Sequence, residues 1–289
     1  MKKAPDRVLV ERLAARVLQD NQIGGLPVDP LAIANDAKIV VQAMPGNIPG
    51  VSGMLMFTGT TFGILYATHI ESEGFRRFSV AHELGHYFIP GHPDALFPKG
   101  TGTHESRGGF TSSDPFELEA DHFAAALLMP EPYFAKSLRL FKEDGLAAIE
   151  YLSENCGTSL TATAIRYVER TSIPAAVVVS TGQRIDFSFM SEAMQEFNIK
   201  WLRKGSSVPY GVLTEQFNLD QQNITKAQRR EGTSSLRDWF GYHRDIPLRE
   251  EVLGLGRYGK TLTVLTSEVV ADEDEEDECL EESWKPRWR

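Results

Sequence analysis

The chain has 289 residues, enough for a sizeable core in one large or two modest domains. Its 42% apolar and 24% charged content is that of a globular protein and excludes a fibrous or wholly disordered chain. No run reaches the ~18 apolar residues of a membrane span, since Ala175–Val179 is broken by Ser180 and Gly182. The formal net charge of -10 speaks against a general nucleic-acid binder, although nine acidic residues between Asp272 and Glu282 sit in one tail and carry much of it.

Behind Met1-Lys-Lys no apolar signal core follows, and Cys156 and Cys279 stand far apart, so a cytoplasmic protein without a structural disulfide is expected. Val8, Leu9, Leu13, Val17 and Leu18 recur at helical spacing over Val8–Gln19, and Gly24-Gly25 closes that helix. A short helix follows over 27–37, then a strand over 38–44. Gly53–Phe57 and Phe62–Tyr66 read as two strands around a turn, giving a small antiparallel sheet with an exposed edge for an extended peptide. A helix over Gly74–Phe88 buries Phe75, Phe78, Leu84 and Phe88 and stops at Pro90-Gly91. Pro93–Asp114 is rich in Gly, Ser, Thr and Pro and is expected to be an irregular loop, a candidate lid. A helix over Pro115–Met129 follows, and two more flank Gly157. From Ile173 the pattern turns to strands, Ala175–Ser180 and Arg184–Met190. The expected organisation is an α+β domain over 1–135, a helical connector over 136–172, a mixed C-terminal domain over 173–270 and an acidic, disordered tail over 271–289.

The chemistry concentrates in His82-Glu-Leu-Gly-His86. On a helix, residues four apart share a face, so two imidazoles can grip one ion. Glu83, about 100° further round, stands beside that ion as a base for a water molecule. Catalytic zinc takes three protein ligands and leaves a fourth position open. Glu117 is the preferred third ligand, with Glu119 and His92 as alternatives. His92 completes a metzincin spacing, but that pattern requires Gly where this chain has the β-branched Ile89. Asp121 lies one turn beyond Glu117 and can accept the outer N–H of a ligating histidine. Ala120 and Ala124 let the two helices approach closely.

The segment Arg77-Phe-Ser-Val-Ala-His-Glu-Leu-Gly-His86, followed by Glu117-Leu-Glu-Ala-Asp-His-Phe-Ala-Ala-Ala-Leu-Leu-Met-Pro130, resembles the ImmA/IrrE family of bacterial metallopeptidases over residues 8–135. The resemblance implies a zincin-like fold of the small gluzincin type. It places the zinc ligands on His82, His86 and Glu117 and the base on Glu83. It further implies an endopeptidase that cleaves a helix-turn-helix repressor in a stress or mobile-element response.

Tyr151–Glu169 has the look of a helix-turn-helix whose DNA contacts would be Ser159, Thr161, Arg166 and Arg170. Around it Lys136, Arg139, Lys142, Arg166 and Arg170 are matched by Glu143, Asp144, Glu150, Glu154 and Glu169, so a supporting hairpin is favoured over direct DNA binding. The rival reading of the whole chain is a DNA-binding or sensory regulator with a structural zinc site. An intact Glu83 beside an open position argues against it. Residues 173–270 carry no assignable motif and are compared only with a sensor-like domain.

Overall fold

The computed structural model describes residues 6–44, 48–69, 72–107, 112 and 114–271, which form two compact units divided between Arg166 and Tyr167. The acidic tail, with Cys279, lies outside the described residues. Among the described residues, no helix is long and apolar enough to cross a membrane.

The first unit holds α1 (Arg7–Asp20), α2 (Pro30–Asp36), β1 (Val40–Ala43), β2 (Val51–Phe57), β3 (Phe62–Tyr66), α3 (Glu73–Phe88), α4 (His92–Leu96), β4 (Gly102–Arg107), α5 (Pro115–Leu128), α6 (Glu131–Leu140) and α7 (Leu146–Cys156). The division falls within α8 (Leu160–Arg170). Helix boundaries follow their caps. Ser72 accepts the Phe75 N–H at the start of α3, and Asp114 accepts the Phe116 N–H at the start of α5, with Pro115 at its first turn. Such caps stabilise a helix by about 1 kcal/mol each. Val80, Ala81 and Leu84 of α3 and Ala120, Phe123, Ala124 and Leu127 of α5 are buried where the two helices pack. Gly85 makes this approach possible: a Cβ there would stand 3.1 Å from Ala120 Cα and 3.2 Å from its carbonyl oxygen.

Two expectations fail here. The sheet is mixed, with strand order β1-β3-β2-β4, because β1 pairs parallel with β3, while β2 is antiparallel to both β3 and β4. Gly53–Phe57 and Phe62–Tyr66 are therefore interior strands, and the exposed edges among the described residues belong to β1 and β4. The supposed irregular loop also contains α4 and β4. His104 lies opposite Leu55, and Ser106 opposite Gly53. Directly opposed residues share a sheet face, so His104 and Ser106 point the same way as the fully buried Leu55 and Ile64. That face packs on α3.

In the helical segment, Arg166 is only 2% exposed. Its guanidinium meets Glu11 at 2.5 and 3.2 Å and the Met129 carbonyl at 3.1 and 3.2 Å. That side chain is committed to the first unit's interior and is withdrawn from any phosphate.

The second unit holds β5 (Ala175–Thr181), β6 (Arg184–Met190), α9 (Glu192–Gln195), α10 (Leu213–Asn218), α11 (Gln221–Thr225), β7 (Arg229–Ser235), α12 (Leu236–Phe240), β8 (Pro247–Gly254) and β9 (Thr261–Thr266). All pairings in its sheet, ordered β6-β5-β9-β8-β7, are antiparallel. β5 and β9 are rich in Val and Thr, which suit strands buried on both faces. One face packs Ala176, Val178, Leu248 and Leu265 against Met194, Leu236 and Trp239.

Candidate metal centre

α3 and α5 bring His82, His86 and Glu117 together. Their ligand atoms form a group able to hold a metal ion, with His82 Nε2 and His86 Nε2 3.1 Å apart and Glu117 oxygens 3.4 and 3.3 Å from them. Two imidazoles, neutral once they ligate, and one carboxylate suit a divalent cation such as zinc. His82 Nδ1 meets Asp121 at 2.9 Å, so Asp121 stands where it fixes the His82 ring.

Without an ion these groups perturb one another strongly. Burial works against charge on His82, but the Asp121 and Glu117 carboxylates outweigh it and hold its pKa up at about 10. Burial pushes His86 down to about 3. Burial would raise Glu117, yet contacts from His104, His82 and His86 win and hold it well below the carboxylate range.

Glu83 is 0% exposed, and among the described residues no donor meets either of its carboxylate oxygens in full hydrogen-bond geometry. Burial pushes its pKa up to about 7, with His82 and the nearby Ser106 hydroxyl pulling the other way. The β2 strand runs beside it: a Cβ at Gly53 would lie 2.6 Å from Glu83 Oε1. Gly53 thus makes room for the carboxylate.

Of the alternative ligands, His92 and Glu119 stay off the three-donor group. α3 ends at Phe88, Ile89 continues in an extended conformation, and the left-handed turn falls at Gly91 with φ 87°. Because the positive φ comes two residues later than the metzincin glycine, the chain turns back behind His86. His92 Nδ1 lies 3.1 Å from His86 Nδ1, and His92 Nε2 lies 3.0 Å from Glu119. Sequence reasoning left the role of His104 open; from β4 it meets Glu117 at 2.9 Å, with its ring 4.7 Å from that of His86.

Residues 34–167 match the family model of the M78 peptidases, described as the IrrE N-terminal-like domain. Over 158 residues the chain is 30% identical to the "Radiation response metalloprotease IrrE" of Deinococcus radiodurans, covering 50% of this chain and 47% of that protein. The chain thus spans about half the length of that curated relative. A "Mycobacterium tuberculosis transcriptional regulator" of known structure has a similar fold, with a TM-score of 0.55 at 14% identity over 89% of this chain and 75% of that one.

Proposed function

The chain belongs, through residues 34–167, to the ImmA/IrrE family, and from that premise we propose that it is a zinc-dependent endopeptidase of zincin-like fold and restricted specificity. The observation that carries the reading is the buried Glu83, with neither oxygen hydrogen-bonded among the described residues, beside the converging His82, His86 and Glu117. A fully buried carboxylate without hydrogen bonds costs stability, and such a cost is kept where a reaction uses it. His82, His86 and Glu117 would hold the zinc, which when bound polarises a scissile carbonyl and lowers the pKa of a water molecule toward ~7. Glu83 takes a proton from the attacking water on a carboxylate oxygen and later delivers it to the leaving amine. Asp121 keeps the His82 ring in the tautomer that leaves Nε2 free to ligate. The free edge of β4, which carries His104 into the site, is the place for an extended peptide to add as a further strand.

The substrate of this reading is a helix-turn-helix repressor, with residues 173–270 as a second contact or sensing domain. The regulator alternative with a purely structural metal leaves the unpartnered Glu83 without a use. The test is incubation of the zinc-loaded protein with helix-turn-helix repressors from the same genome and with casein. Cleavage of one repressor at a discrete site, lost in Glu83→Gln, is expected. Rapid digestion of casein would replace the reading with a general peptidase.

A further inference from the structure

Behind His86, a run of buried and half-buried polar side chains continues away from the metal position, and nothing in the proposed reaction uses its far members. His86 and His92 are 0% and 1% exposed. The chain of contacts runs from His86 Nδ1 to His92 Nδ1 at 3.1 Å and from His92 Nε2 to Glu119 Oε2 at 3.0 Å. It ends where the Asp6 backbone N–H donates to Glu119 Oε1 at 3.0 Å. Asp6 in turn caps α1, accepting the Leu9 N–H, so a helix start anchors the far end.

With His86 read as a ligand, its Nε2 gives its lone pair to the metal, so the ring's proton belongs on Nδ1, which faces His92. Two Nδ1 atoms at hydrogen-bonding distance require one donor and one acceptor. His86 donates, His92 accepts, and the remaining His92 proton sits on Nε2 and is donated to Glu119. Each hydrogen position follows from its neighbour.

We propose that His92 and Glu119 form a positioning relay that fixes the ring and tautomer of His86, as Asp121 does for His82, and thereby tightens the hold of the site on its metal. This inference rests on the reading of His82, His86 and Glu117 as ligands. It gives the two histidines unlike partners: His82 faces a carboxylate directly, whereas His86 reaches one only through a second imidazole. It also gives Gly91 a purpose, since its left-handed conformation returns the chain so that His92 lies behind His86.

The test measures the zinc dissociation constant of the full-length protein by competition with a chelator, alongside the visible spectrum of the cobalt-loaded form. His92→Ala should weaken zinc binding by about 10–100-fold and shift the cobalt bands, while still binding one metal at saturation. His92→Gln offers an oxygen to His86 Nδ1 and an amide N–H to Glu119, and should recover affinity to within a few-fold of the parent. Glu119→Ala should weaken binding in the same direction. Because the two groups act in series, the double alanine variant should be no weaker than His92→Ala alone. An affinity within about twofold of the parent in His92→Ala, or strictly additive effects of the two alanines, overturns the relay. If His92→Ala does not fold, Glu119→Ala and His92→Gln decide: unchanged affinity in the first, or no better than a 10-fold loss in the second, overturns it equally. A parent protein that takes up no zinc, or a Glu117→Ala variant that binds it as well as the parent, overturns the metal reading itself and the relay with it.

Discussion

Glu83 in the first unit and Glu250 in the second are both 0% exposed, yet they are treated in opposite ways. Glu250 Oε1 accepts the Thr214 N–H and hydroxyl, each at 2.7 Å, and Oε2 accepts the Trp239 indole N–H at 3.2 Å. Thr214 is linked onward to Thr263 at 2.7 Å. Among the described residues no donor meets either Glu83 oxygen in full hydrogen-bond geometry, and the carboxylate faces a glycine. The contrast separates two uses of a buried carboxylate. One is saturated and ties α10, α12 and the sheet together; the other is left unsaturated, which the proposed reaction would use for a proton that comes and goes.

Substitution at each glutamate breaks this contrast in a different observable. Glu83→Gln should lower cleavage of a proven repressor by about 10³-fold, because an amide cannot accept the proton, while zinc content stays and thermal stability is unchanged or raised. Glu250→Ala should do the reverse. It strands the buried Thr214 N–H and leaves the Trp239 indole N–H with Ser234 alone, and should cost about 3 kcal/mol in the denaturant unfolding of the second unit, with zinc content unaltered. Gly53→Ala sharpens the comparison by adding a methyl group 2.6 Å from Glu83 Oε1. The carboxylate must swing aside, and kcat/KM should fall about 10²-fold with stability kept within about 1 kcal/mol.

The smallest effect concerns His122, whose pKa is pushed down to about 4 by burial and by the charges of Arg7 and Arg166. The unfolded chain binds a proton near the ordinary value of 6.5 while the folded chain does not, so stability contributed at neutral pH is lost as pH falls from 6.5 toward 4. His122→Asn should flatten that acid limb by about 1–2 kcal/mol in pH-dependent denaturant melts, without touching cleavage at neutral pH. An unchanged acid limb would remove His122 from the account.

The two long helices were legible because both their apolar period and their stops are strong: Pro90-Gly91 ends one, and Asp114-Pro115 and Pro130 bracket the other. The His82, Glu83 and His86 placement follows from that period alone, and the Glu117 and Asp121 pair follows from a second helix with small residues at its contact. β4 was hidden because Gly102-Thr-His-Glu-Ser-Arg107 alternates among polar residues. The side turned inward carries His104 and Ser106 in place of the Val or Ile that marks a buried strand face. The parallel pairing of β1 was equally invisible, since pairing partners are a property of tertiary structure and leave no local period. Gly53 and Gly85 read as unremarkable glycines in a strand and a helix. Only the distances to Glu83 and Ala120 reveal why a side chain is excluded there.

Elemental analysis of the purified full-length chain tests most directly whether α3 and α5 together build a metal site. The account predicts about one zinc per chain in the parent and in Glu83→Gln, one in His92→Ala when zinc is saturating, and almost none in Glu117→Ala. A full complement in Glu117→Ala, with loss in His92→Ala at any zinc concentration, would move the third ligand to α4 and contradict the site described.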